Sequence, residues 1–184
     1  MTVRQVSLFL AMLAIVAQAS VVGVVVVNAG SGWWARLRRW QAAVSQALSL
    51  HGLTFAFCVA AVATAGSLYF SEVAHFVPCR LCWYQRSAMY PLVPILGLAA
   101  WRRDHHIRPY AGLVAALGGT ISVYHVLLEH YPSLEAGACE VANPCTIIWV
   151  RRFGYLTIPV MALSAFALIV TLMVFSRPTP EGAR

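Results

Sequence analysis

Residues Val6 to Val27 form an uncharged, apolar run. A helix needs roughly 20 such residues to cross the hydrocarbon core of a bilayer, so this run is long enough to span. Four more predominantly apolar runs follow, at about Leu48 to Phe70, Trp83 to Trp101, Pro109 to Leu128 and Tyr155 to Phe175. In lipid, every backbone N–H and C=O must be bonded within the chain, and helices do this segment by segment. The pattern therefore predicts an all-α membrane protein with no soluble domain. Ala17-Gln18-Ala19 resembles a signal-peptide cleavage site. The run is longer than the usual apolar region of roughly 7–15 residues, and the reading here is a retained helix.

Charge supports the same reading. Only 10% of residues are charged, against about 25% in soluble domains. All 13 basic residues are arginine and the formal charge is +7. The arginines cluster between apolar runs, which is a topology signal and argues against nucleic-acid binding. Residues 30–47 interleave Trp33, Trp34 and Trp40 with Arg36, Arg38 and Arg39, a pattern suited to the headgroup region on the cytoplasmic side. The chain divides into an N-terminal span (1–29), this interfacial segment (30–47), a four-span domain (48–176) and a tail (177–184). Loops at Arg36 to Arg39 and Arg102 to Arg108, with the tail, fall on one side and hold eight of the 13 basic residues. That side is expected to be cytoplasmic, with the N-terminus outside.

Four of the five cysteines then lie on the outer face, as Cys79 with Cys82 and Cys139 with Cys145. Disulfides persist in such a compartment. Cys58, inside a span, reads as a small buried hydrophobe. A two-residue spacer suits a redox disulfide or half of a zinc site. The five residues between Cys139 and Cys145 are long for a zinc knuckle. The four loop cysteines together could still be the ligands of a membrane metal-binding or transport protein, and Cys139–Cys145 could be a structural staple. A helix beginning near Trp83 would place Cys82 at its N-terminus, where N–H groups and the dipole lower a thiol pKa. Arg86 lies at i+4 from Cys82, on the same face. His125, a lone histidine within a span, is a site candidate. His105-His106 reads as part of a solvated loop.

The stretch Pro78-Cys79-Arg80-Leu81-Cys82-Trp83-Tyr84-Gln85-Arg86 resembles the DsbB family of disulfide bond formation proteins. Cys139 to Cys145 with Thr146, and Phe153-Gly154-Tyr155-Leu156-Thr157-Ile158-Pro159, are similar to its BdbC branch. The resemblance covers roughly Leu48 to Phe175. It implies a four-helix transmembrane bundle, here with one extra N-terminal helix, in the cell membrane and monomeric. It implies a thiol oxidoreductase that re-oxidises an extracytoplasmic DsbA/BdbD-like thioredoxin-fold oxidase. Electrons would pass to a membrane quinone, menaquinone or ubiquinone. By resemblance Cys79 and Cys82 are the quinone-coupled pair, with Cys82 facing the quinone, and Cys139 and Cys145 the partner-facing pair. Cys139 would carry the mixed disulfide, and Arg86 and His125 would contact quinone. No metal is expected. Vitamin K epoxide reductase homologues place their loop cysteines before the Cys-x-x-Cys, whereas here they follow it. The spacer between Cys139 and Cys145 is shorter than in the best-known Gram-negative members, leaving less room for that pair to swing.

The topology is checked by labelling. A cysteine introduced near Ser31 should react with an impermeant maleimide only after the membrane is permeabilised. Labelling in intact cells would reverse the orientation.

Overall fold

The structure, a computed structural model, describes residues 2–30, 35–135, 137, 139–140 and 143–176. Five long helices carry the fold: α1 (Val3–Gly30), α2 (Ala35–Leu68), α3 (Arg80–Arg102), α4 (Arg108–His130) and α5 (Ile158–Phe175). A π-turn at Tyr69–Val73 prolongs α2. Between α4 and α5, the two-residue strands β1 (Arg151–Arg152) and β2 (Leu156–Thr157) pair antiparallel, with Arg151 opposite Thr157. Trp33, Trp34 and the tail 177–184 lie outside the described residues.

Helices α1, α2, α4 and α5 are long and apolar enough to cross a membrane. α3 is as long as α4, at 23 residues, but its first two turns carry Arg80, Gln85 and Arg86. Pro91 and Pro94 lie inside α3, whereas Pro159 sits in the first turn of α5, where its missing N–H costs no helical bond. One expectation is corrected. Residues 35–47 are not a segment separate from the following span. They are the first turns of a continuous 34-residue α2. The physical reason is local: from Ala35 to His51 there is neither glycine nor proline to stop a helix. At 1.5 Å per residue α2 is about 50 Å long, well beyond a hydrocarbon core of roughly 30 Å. Its exposed Arg38, Arg39 and Trp40 therefore reach past the lipid tails.

α2 to α5 form a bundle whose centre holds Ala60, Leu92, Leu96, Ala115, Phe166 and Ile169, all fully buried. α1 packs outside it, against α5 and α2. Lipid tails are as apolar as leucine, so close fit rather than escape from water holds such helices together. At Gly118 of α4 the Phe166 ring of α5 occupies the space a Cβ would need. Gly119 differs, since its nearest neighbour in that position is Phe166 Cβ at 3.6 Å, an ordinary contact. Gly118→Ala should therefore cost about 1–3 kcal/mol through overpacking. It should lower the Tm in detergent, with Gly119→Ala close to wild type. Equal melting of the two variants would remove Gly118 as the point of closest approach.

Candidate redox site

The site is built on the first turn of α3. This helix begins at Arg80, three residues earlier than expected, so Cys79 is its N-cap. The Cys79 Sγ accepts from the backbone N–H of Cys82 at 3.3 Å. The sequence reading is corrected here: the thiol held by the helix N-terminus is Cys79, not Cys82. The two sulfurs lie 2.9 Å apart, with both residues as thiols. Cys139 and Cys145 form a disulfide, with Cα atoms 5.8 Å apart. The Cys139–Cys145 disulfide is formed, and the Cys79 and Cys82 sulfurs are close neighbours beside it.

Cys79 is held far below the ordinary thiol pKa, at about 4. The largest cause is the hydrogen bond from the Cys82 thiol. Burial opposes it, and His125 and the Cys82 N–H add to the lowering. A thiolate here has donors on several sides, as the N-terminal position of a helix provides.

The second pair packs directly on the first. Cys145 is 1% exposed and shares a buried cluster with Cys79, Leu81 and Leu128, and Cys82 and Cys139 pack against it. Asn143 donates from Nδ2 to the carbonyl of Pro78 at 3.0 Å, tying the second loop to the residue before Cys79. The second pair thus needs no long swing, because Asn143 and Cys145 already pack on the first. Cys139 is the more accessible of the two.

His125 stands between the pairs. It is 3% exposed, with Nε2 at 3.0 Å from the Cys145 carbonyl and 3.8 Å from Cys79 Sγ. Its Nδ1 meets Gln85 Nε2 at 3.2 Å. With Gln85 donating, Nδ1 accepts, and Nε2 carries the ring proton toward the carbonyl and the sulfur. Gln85 is itself buried, one turn beyond Leu81. Neither Gln85 nor Asn143 was singled out from sequence; a buried amide at i+3 from Cys82 was the available signal for Gln85.

Cys82 and Arg86 open on the other side of α3, into an apolar cavity of about 370 Å³. Phe76 and Val77 line the same end. Arg86 donates from Nη2 to the Ser67 carbonyl at 3.1 Å, and its guanidinium carbon lies 5.2 Å from the centre of the Trp83 ring. The Ser67 carbonyl lies where α2 passes into the π-turn, a feature frequent at functional sites. Phe76 stacks on Trp149 with ring centres 5.0 Å apart, and both line the cavity. His125 is not among the cavity-lining residues. Cys58 is, and it is exposed rather than buried, because the inward face of α2 is the stripe Leu53, Ala56, Ala60.

Cys79, Cys82 and His125 have ligand atoms within 4.8 Å of one another, a group able to hold a soft metal ion while both thiols are free. The four-cysteine ligand set of the metal-binding alternative is not available in this state, since Cys139 and Cys145 are bonded to each other.

A family model described as disulfide bond formation protein DsbB matches residues 47–176. The chain is 45% identical over 116 residues to disulfide bond formation protein C of Bacillus subtilis, covering 62% of this chain and 84% of the relative. It is 42% identical over 145 residues to a probable disulfide formation protein of Deinococcus radiodurans, covering 71% and 94%. No solved structure matches. A helical bundle of membrane-spanning length with two stacked cysteine pairs defines a multi-pass membrane disulfide oxidoreductase. The chain belongs to the DsbB family of disulfide bond formation proteins, in the branch of disulfide formation protein C.

The thiolate assignment is tested by site-resolved alkylation in a Cys58→Ala background with Cys139–Cys145 intact. A thiolate reacts and a thiol does not, so Cys79 should react rapidly above about pH 4 and slow as pH falls through that value. Cys82→Ala should move this fall to higher pH, toward the ordinary thiol range. His125→Ala should move it the same way by less. Unchanged profiles in both variants would show that neither neighbour sets the Cys79 charge.

Proposed function

We propose that this protein is a thiol:quinone oxidoreductase that re-oxidises an extracytoplasmic thioredoxin-fold oxidase and so supports disulfide formation in exported proteins. The observation that carries the reading is the position of the first pair. Cys79 faces the Cys139–Cys145 disulfide, while Cys82 faces an apolar cavity beside a fixed cation.

The cavity fits a quinone. Its walls are apolar, its volume suits an aromatic ring with part of a tail, and Arg86 and Cys82 stand together at one end. Arg86 and the Phe76 and Val77 side chains would hold the ring. A quinone bound there supplies a two-electron, two-proton acceptor. The partner's dithiol reduces Cys139–Cys145, with Cys139, the accessible sulfur, taking the mixed disulfide. The resulting Cys139/Cys145 dithiol then reduces a Cys79–Cys82 disulfide by the same exchange, and two electrons and two protons move from the outer pair to the inner one. His125 Nε2–H stabilises the Cys79 thiolate that leaves, and Gln85 keeps the ring in that orientation. The Arg86 cation faces the cavity end where negative charge develops on reduction, and such a contact strengthens as the charge grows. Both pairs are on the extracytoplasmic side in this reading.

The experiment combines the reduced partner oxidase, purified protein and a quinone, and follows quinone reduction. Arg86→Met should lose about ten- to a hundredfold in quinone-dependent turnover, since a hydrogen bond to a charged group is worth roughly 1.5–3 kcal/mol. Arg86→Lys should recover only part, because it keeps the charge without the planar fork. An unchanged KM for quinone at normal turnover in Arg86→Met would reduce Arg86 to an anchor on Ser67 and Trp83.

A further inference from the structure

α1 lies outside the family match, which begins at residue 47. It nonetheless supplies Leu10, Leu13, Ala14, Val16 and Ala17 to the cavity that holds Cys82 and Arg86. Leu10, Leu13, Ala14 and Ala17 follow the i, i+3, i+4, i+7 spacing of one helix face. The helix is also fixed there by polar contacts that lipid cannot replace. Arg152 donates from Nε and Nη2 to Ser7 Oγ at 3.0 and 2.8 Å. Gln18 donates from Nε2 to Ser164 Oγ at 2.9 Å and accepts from the Tyr155 hydroxyl at 2.9 Å. Both ends of the Gln18 amide are therefore used, on two sides of the α5 start.

Depth within the cavity follows from helix pairing. Leu10 stands against Gly66, where a Cβ would fall 2.8 Å from Leu10 Cδ1. Gly66 adjoins Ser67, the partner of Arg86, so Leu10 is level with the Cys82–Arg86 end. Ala17 is two turns further, about 10 Å along α1. On α2, Val59 is equally far from Gly66 in the opposite chain direction, and it and Cys58 line the cavity too. The deep half of the cavity is thus walled by α1 on one side and by the Cys58 to Ala63 stretch of α2 on the other.

We propose that α1 is a wall of the acceptor cavity whose Leu13 to Ala17 stretch sets how much hydrocarbon tail a bound acceptor carries. The proposal rests on the quinone reading above and adds the determinant of tail selectivity. The reacting end is left to Cys82 and Arg86; α1 acts on the part of the ligand that does no chemistry. A larger side chain at its deep positions occupies the tail's space and spares the ring's.

The test uses the full chain and two quinones, one with a long isoprenoid tail and one with none, and reads equilibrium binding of each to the purified protein beside KM, with Kd expected to move as KM does. Ala17→Phe and Val16→Phe should each raise KM for the long-tailed quinone about tenfold, or about 1.4 kcal/mol. KM for the tail-less quinone should change less than about twofold. Val22→Phe, on an exposed position that does not line the cavity, should match wild type with both. Ala17 is buried, so if Ala17→Phe fails to assemble, Val16→Phe, at an exposed position that lines the cavity, decides. Variants that treat both quinones as wild type does would overturn the role of α1 while leaving the quinone reading intact. Equal loss with both would overturn tail selectivity. A wild-type protein that reduces neither quinone would overturn the quinone reading and this proposal with it.

Discussion

A backbone group that loses its helical partner within lipid finds no water to replace it, and this constraint organises the whole site. Polar side chains meet the backbone at two neighbouring places. At the start of α3, a free N–H turns to a cysteine sulfur, which makes Cys79 a cap and a charge-stabilised thiol at once. Where α2 loosens into a π-turn, the Ser67 carbonyl takes the guanidinium of Arg86. The side chains that satisfy the backbone are therefore the ones that carry chemistry. The packing of α2 against α3 brings these two points together.

Between them lies a division of labour across one helix face and its opposite. On one side of α3, Cys79, His125 and the Cys145 carbonyl form a dry polar chain inside an apolar cluster. Electrostatic contacts are stronger there than in water, so a single proton position matters. On the other side, Cys82 looks into an apolar cavity beside a cation. Two adjacent sulfurs, 2.9 Å apart, thus belong to two environments, and exchange between them crosses from one to the other.

Much of this was legible in the sequence, for reasons that can be named. Apolar runs of bilayer length announce helices, because hydrocarbon permits little else. The paired cysteines narrow the chemistry to a redox disulfide or a metal site, and the resemblance of the whole Pro78 to Arg86 stretch selects redox. What was not legible depended on which way a helix turns and where it starts. Starting α3 at Arg80 rather than Trp83 moved the cap from Cys82 to Cys79. The uninterrupted α2 hid its own junction with the headgroup segment, since no breaker marked it. Cys58 was read by hydrophobicity, whereas its exposure follows from its angle to Leu53, Ala56 and Ala60. His125 was placed near the right end of its span, but only tertiary packing shows that it faces the two cysteine pairs rather than the cavity. The role of α1 depends on contacts with residues more than 130 positions away, beyond any local pattern.

Those contacts have a consequence for how the protein is made. Ser7 and Gln18 leave the ribosome early, yet their partners Arg152, Tyr155 and Ser164 follow 137 to 146 residues later. At a synthesis rate of about 5–20 residues per second, α1 waits roughly 7–30 seconds for α5. During that interval the cavity has one side open to the surrounding lipid, and Ser7 and Gln18 must share their polar atoms with their own helix or with the insertion machinery. α5 is the helix that shuts it, so the pocket exists only once α5 is in place.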